Sequence, residues 1–281
     1  MMPLLSILIP NRSSQPELLV RALTSIFKQP LTEKTELEVV VVDSSDNFDL
    51  KPLKQFPIKL IHSTKPLSCG MARNIAASKA EGKYIWCVDG DDLLAKDCLN
   101  KLLDELHKPD AKDCADGAKD FYFLPWIPLS KKGVGAFVPD TFEQLCHVNI
   151  AAWNKCYKRE LYVDFPDYHP EDVVAHYKLL DKIQNFGSMK DIMYIYDDTN
   201  PAAYTRTWDW LKQTPNNIVA LALDNTLNKK GLRDEAVGGC LRTAADLYDF
   251  THKATKPEVK KAVIERLDTT WRNIASGYYI H

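Results

Sequence analysis

The chain has 281 residues, of which 45% are apolar and 26% charged, enough for one large domain or two small ones around a sizeable core. That excludes a disordered chain, a collagen and a disulfide miniprotein. Lys plus Arg total 36 against 38 Asp plus Glu, a formal net charge of −2, so no global basic field exists to grip a nucleic-acid backbone and nucleic acid is not expected as a partner.

In chain order, MMPLLSILIP lacks a basic leader and runs at once into Asn11 and Arg12. It reads neither as a signal peptide nor as a spanning helix, and a cytoplasmic chain is expected. Leu4–Ile9 has strand length, and the apolar spacing of Pro16–Phe27 predicts a helix. Glu38–Val42, with its run of valines, suits a strand buried on both faces of a parallel sheet. A strand at Ile58–His62, a helix from Ser68 to Ala80 stopped by Gly82, and a strand at Tyr84–Val88 complete an alternation that predicts a mostly parallel α/β sheet with right-handed crossovers. Ligands of such sheets sit at the carboxyl ends of the strands.

A helix is predicted from Leu93 to Leu106, followed by a polar excursion over 108–120. Strands are predicted at Phe121–Trp126, Val134–Val138 and Met189–Tyr196, with a helix at Glu171–Asn185. After Pro201 only helices are predicted, over 206–229, 233–252 and 257–275, the last with Pro257 in its first turn. The domain boundary is placed at residue 200, giving a catalytic unit over 1–200 and a helical extension over 201–281. The seven cysteines form no C-x-x-C pair and no zinc spacing, and read as reduced packing residues. His62 and His176 have no obvious partner and read as structural.

The densest acidic cluster, Asp89-Gly90-Asp91-Asp92, follows the buried strand Tyr84–Val88. Carboxylates on a tight turn at a strand's carboxyl end can hold Mg²⁺ or Mn²⁺, hard cations that leave room for substrate phosphates. The alternative is a solvated turn whose Asp92 caps the next helix. An EF-hand loop fails because Asn100 stands where its last glutamate belongs. The chain contains neither a P-loop nor a G-x-G-x-x-G turn, which argues against an ATPase or a dinucleotide-linked dehydrogenase.

Four segments, taken together, resemble the GT-A catalytic core of family-2 glycosyltransferases of the bacterial capsule and lipopolysaccharide type. They are Ser6–Pro10, Val40–Asp43 with Ser44 and Ser45, Gly70–Asn74, and Gly82–Asp92. The resemblance is close over about residues 3–105 and looser through Trp153–Arg159, Glu171-Asp172 and Tyr194–Arg206. It implies a GT-A sheet and an inverting, metal-assisted transfer from a nucleotide-sugar donor, a UDP-sugar by preference, to a saccharide or lipid-linked acceptor. It also implies that Pro10, Asn11 and Asp43 hold the base and ribose, with Ser44 standing where the family often has a second acid.

Arg73 matches a family arginine beside the nucleotide or its diphosphate; the alternative is a surface salt bridge. Asp89 and Asp91 fall on the family's D-x-D, Asp91 for direct metal ligation and Asp89 for ribose or metal-water contact. Glu171-Asp172 fits the family's acidic pair, with Asp172 as general base, against the alternative of two acids favoured by a helix N-terminus. The resemblance puts Trp153 where an acceptor sugar could stack on its indole, against core packing. Tyr194–Arg206 reads as an ordinary surface connection, against the alternative of a loop closing over the donor with Arg206 at the diphosphate. A nucleotidyltransferase and a non-catalytic nucleotide-sugar-binding scaffold are the competing functions. The helical tail is expected to serve as a homodimer interface, to rest on the core or to lie peripherally on a membrane.

Overall fold

The structure is a computed structural model, and it describes residues 2–12, 15–31, 36–46, 51–110, 116–130, 137–168, 171–200 and 233–278. The expected helix over 206–229, Arg206, most of the expected strand at Val134–Val138, and His169-Pro170 lie outside these residues.

The valine-rich and leucine-rich runs form the centre of the sheet. Strand β1 (Leu5–Asn11) is buried along its whole length, and Val39–Val42 of β2 (Leu37–Asp43) are no more than 1% exposed. Strands with no polar face need cover on both sides, which helices supply. α1 (Pro16–Phe27) packs Leu19, Leu23 and Ile26 into the apolar cluster on one face. α2 (Cys69–Lys79) packs Ala72 and Ala76 into the cluster on the other. Ser68 caps α2, its hydroxyl accepting a hydrogen bond from the Met71 amide at 3.2 Å.

The other strands are β3 (Lys59–His62), β4 (Tyr84–Cys87), β6 (Phe121–Phe123), β8 (Lys155–Lys158) and β9 (Phe186–Ser188), in the order β3-β2-β1-β4-β8-β6-β9. β3, β2, β1 and β4 run parallel, and β8 is antiparallel to both of its neighbours. A second sheet joins β5 (Leu93–Leu94), β10 (Tyr194–Tyr196) and β7 (Trp126–Pro128). Three expectations need correction at this level. The predicted strand Met189–Tyr196 is strand only over Tyr194–Tyr196. Leu93-Leu94 form a strand on β10, so α3 (Cys98–Leu106) starts five residues later than the sequence predicts. The predicted strand Phe121–Trp126 is divided at Leu124-Pro125 between the two sheets.

Short helix α4 (Phe142–Cys146) carries a capping box between Thr141 and Gln144. α5 (Glu171–Lys182), α6 (Arg233–Thr251) and α7 (Pro257–Tyr278) complete the chain's helices among the described residues. Val173, Val174 and Leu180 of α5 share one apolar cluster with Leu247 and Phe250 of α6 and with Val259 and Val263 of α7. α6 and α7 therefore pack on α5. No helix among the described residues is long and apolar enough to cross a membrane.

Candidate active site

Register builds the first half of the site. Parallel pairing of β1 with β2 sets Asn11 opposite Asp43, and pairing of β2 with β3 sets Asp43 opposite His62. The three side chains meet at the strands' carboxyl ends. Asn11 Nδ2 donates to Asp43 Oδ1 at 2.7 Å, the Ser45 hydroxyl donates to the same oxygen at 2.7 Å, and His62 Nδ1 lies 2.8 Å from Oδ2. Asp43 is fully buried, so these partners replace its lost hydration. His62, read from sequence as structural and unpartnered, belongs to this group. The strand register was the missing signal.

The acidic turn lies against the same edge. A Cβ at Gly90 would stand 2.9 Å from Asn11 Oδ1, so any larger residue there would have to displace the Asn11 side chain. Asp92 does not cap α3. It is 1% exposed, accepts from the Tyr194 hydroxyl at 2.6 Å and from the Asp197 amide at 2.7 Å. Tyr194 oxygen in turn accepts from the Asp89 amide at 3.1 Å. Arg21 closes the other side, donating to the Asp91 carbonyl at 2.6 Å and pairing with Asp197. The turn is thus fixed by β10 and α1 while the Asp89 carboxylate stays 28% exposed. Burial, and then the nearby Asp89 charge, push the Asp91 carboxyl above its usual range; the same two causes, joined by Asp91, push Asp92 higher still.

Arg73 joins the two halves. Its guanidinium is 3% exposed and donates through Nη2 to Asp89 at 2.9 Å, and through Nη1 to Glu171 at 2.8 Å and Asp172 at 3.0 Å. It lies 5.2 Å from the centre of the Phe165 ring. The surface salt bridge is thereby excluded: this is a buried cation shared by three carboxylates, one from the acidic turn and two from the N-terminus of α5. Its Nε is buried with no hydrogen-bond partner.

Within the acidic pair, Glu171 is the more enclosed, its side chain 8% exposed against 22% for Asp172. Asp172 also accepts from the Ala152 amide at 3.2 Å. Burial raises the Asp172 carboxyl to about 6, against the opposing pull of Arg73. A carboxylate in that range is still ionised at neutral pH and is a better proton acceptor than an ordinary aspartate.

Trp153 corrects an expectation. It is 6% exposed and stacks on Tyr194 with ring centres 4.6 Å apart and planes within 1°. Tyr196 is also near-parallel at 5.8 Å, and Trp126 meets it edge-on at 5.0 Å. At 6% exposure the indole offers no open platform for a sugar, and it is part of the aromatic core that anchors Tyr194 beneath the acidic turn.

No group of three or more metal-ligating side chains occurs among the described residues. The donor set nevertheless fits a hard divalent cation. Asp91 and Asp89 repel one another on a fixed turn, and Mg²⁺-type ions are commonly held by one or two carboxylates with substrate phosphates completing the shell.

Comparison with known proteins bears on the family and the fold. Residues 6–144 match the family described as Glycosyl transferase family 2. Poly(ribitol-phosphate) beta-N-acetylglucosaminyltransferase TarS of Staphylococcus aureus is 33% identical over 111 residues, 36% of this chain but only 19% of that protein. The chain thus spans about a fifth of that curated relative. Among solved structures, S. aureus TarS 1–349 in complex with UDP-GlcNAc superposes with a TM-score of 0.60 at 17% identity, covering 99% of this chain and 93% of that one. A mannosyltransferase from Pyrobaculum calidifontis in complex with GDP-Man and Mn²⁺ gives 0.56 at 17% identity, covering 99% and 88%. At such identities the superpositions show the GT-A fold alone.

Proposed function

We propose, for a chain whose residues 6–144 belong to glycosyl transferase family 2, that it transfers a sugar from a nucleotide-sugar donor to a saccharide or lipid-linked saccharide acceptor with inversion. The observation that carries this reading is the Arg73 bridge, which ties the acidic turn expected to face the donor to the carboxylate pair expected to face the acceptor. Support for a UDP-sugar comes from the UDP-GlcNAc bound by the TarS structure.

In this reading Pro10, Asn11 and Asp43 border the base and ribose, with His62 and Ser45 holding the Asp43 carboxylate in place. Asp91 would hold a Mn²⁺ or Mg²⁺ ion, with Asp89 on the ribose or a metal-bound water. When bound, such an ion supplies positive charge against the departing diphosphate. Asp172 accepts the acceptor hydroxyl's proton as that oxygen attacks the anomeric carbon from the face opposite the leaving group. The bond from that carbon to the phosphate oxygen breaks, and the nucleoside diphosphate leaves. Arg73 holds Asp172 Oδ1 and Asp89 in fixed relation, the kind of prearranged geometry that lowers the entropic cost of reaction. Glu171, more enclosed, positions Arg73.

The test is release of nucleoside diphosphate from a donor panel containing UDP-GlcNAc and GDP-Man, with Mn²⁺, for wild type, Asp91→Asn and Asp172→Asn. Release by wild type with a loss of about 10²-fold or more in Asp172→Asn supports the assignment. No release from any donor, or equal release by Asp172→Asn, overturns it.

A further inference from the structure

Behind Asp172 lies a cavity of about 10 Å³ that the proposed reaction does not use. Its lining includes Ala152, Lys155, Asp172 and His176. Asp172 and His176 stand four residues apart on α5, so they share one helix face. His176 is 2% exposed, and neither of its ring nitrogens has a hydrogen-bond partner. A buried imidazole with two unmet polar atoms is costly, at about 1–3 kcal/mol for each unsatisfied group, and such groups normally find a protein or water partner. The space is close to the minimum that holds one water, and the lining offers the several polar partners a water needs.

Lys155 supplies the charge. It is 3% exposed, and its ammonium donates to the Ile150 carbonyl at 3.2 Å, to the Asn154 side chain at 2.8 Å and to the Ala151 carbonyl. Three acceptors match the three protons of an ammonium. Burial pulls Lys155 down to about 7, and the Asp172 charge opposes that pull. Burial, Lys155 and Arg266 together hold His176 well below its usual range, and therefore neutral. A neutral imidazole has its donor and its acceptor on divergent ring nitrogens, so a single water meets the one that faces the cavity and can turn a hydrogen to Asp172.

We infer that Lys155 and His176 are positioning residues for Asp172, facing it across this cavity, Lys155 through its charge and His176 through one water held on its imidazole. Asp172 then lies between two cations, Arg73 at its Oδ1 and Lys155 across the cavity. Both favour its ionised form, while the burial that makes it a stronger base favours the neutral one. The other ionisable groups facing this set are Glu171 on α5, Asp89 after β4, Cys87 on β4 against Lys155, and Arg266 on α7 against His176. Arg73 and Lys155 are the positive charges that act on Asp172 itself, whereas Arg266 acts on His176. The catalytic consequence rests on Asp172 being the base; the electrostatic coupling does not.

The experiment is a ¹³C carboxyl titration by NMR of Asp172, assigned with Asp172→Asn, in wild type, Lys155→Met, His176→Phe and His176→Gln. Folding of each variant is checked from its amide fingerprint. Lys155→Met is expected to raise the Asp172 midpoint by about one pH unit or more, the size typical of losing a nearby opposite charge. His176→Phe, which takes away both the imidazole and its water, raises it by less. His176→Gln keeps a donor and an acceptor and stays near wild type. An unmoved midpoint in folded Lys155→Met overturns the inference. If Lys155→Met does not fold, the two His176 variants decide, and equal midpoints in Phe and Gln overturn it. Normal donor turnover by Asp172→Asn would sink the base assignment while leaving this coupling to stand or fall on its own titration.

Discussion

Replacing Asp172 by asparagine is expected to make the protein more stable at neutral pH while it removes transfer. Burial raises the Asp172 carboxyl to about 6 in the folded chain, against about 3.9 for an unperturbed aspartate. The folded state therefore binds the proton more tightly than the unfolded one. Stability from this group is fully present below about pH 4 and is lost as pH rises through about 6. Two pH units correspond to about 3 kcal/mol of cost carried by the ionised side chain at pH 8. Asparagine never ionises and escapes that cost, but its Nδ2 would meet the Ala152 amide, donor against donor, where Asp172 now accepts. One lost hydrogen bond costs about 1 kcal/mol. The net expectation is a gain of about 2 kcal/mol, or a rise in Tm of about 4–8 °C. Thermal melts of both proteins from pH 4 to pH 8 should show the variant about 1 kcal/mol less stable at the acid end, where only the lost hydrogen bond counts, with the sign reversing between about pH 4 and pH 6 and the gap flat above. A variant less stable than wild type at pH 8, with no closing of the difference in acid, would mean that Arg73 outweighs burial and that Asp172 is not an elevated base.

Three further outcomes follow from the same contacts. Arg73→Met leaves Asp89, Glu171 and Asp172 without their shared cation; it should cost about 3–5 kcal/mol at pH 7 by urea unfolding, less as acid protonates the carboxylates. Trp153→Ala should destabilise by about 3–5 kcal/mol because the indole is core; near-normal stability with impaired acceptor binding would restore the stacking role. Gly90→Ala should weaken nucleotide binding in calorimetry, since its Cβ would press on Asn11 Oδ1 at 2.9 Å; unchanged affinity would detach the acidic turn from the nucleotide edge.

Much of this site is legible in the chain because local patterns carry it. The buried runs of β1, β2 and β4 announce a parallel sheet, and the acids at their ends mark the edge where a ligand is expected. What the sequence hides is set by contacts distant along the chain. His62 reaches Asp43 only through the register of β2 with β3. Arg73 and Asp172 are 99 residues apart and meet because α2 and α5 converge. Tyr194 comes to Asp92 across 102 residues by way of the second sheet, and nothing near either residue signals that pairing. Trp153 misled because an exposed platform and a core indole look alike in one dimension. Only the packing of Tyr194 and Tyr196 against it distinguishes the two.

The central claim is that the edge formed by Asn11, Asp43, Asp89 and Asp91 receives a nucleoside diphosphate together with a divalent ion. Calorimetric titration of UDP into the wild-type protein with Mn²⁺, and again with EDTA, tests it most directly. The account predicts binding at least about tenfold tighter with Mn²⁺, equivalent to about 1.4 kcal/mol, and loss of that difference in Asp91→Asn. Equal affinity under both conditions, or the same metal effect in Asp91→Asn, would contradict it.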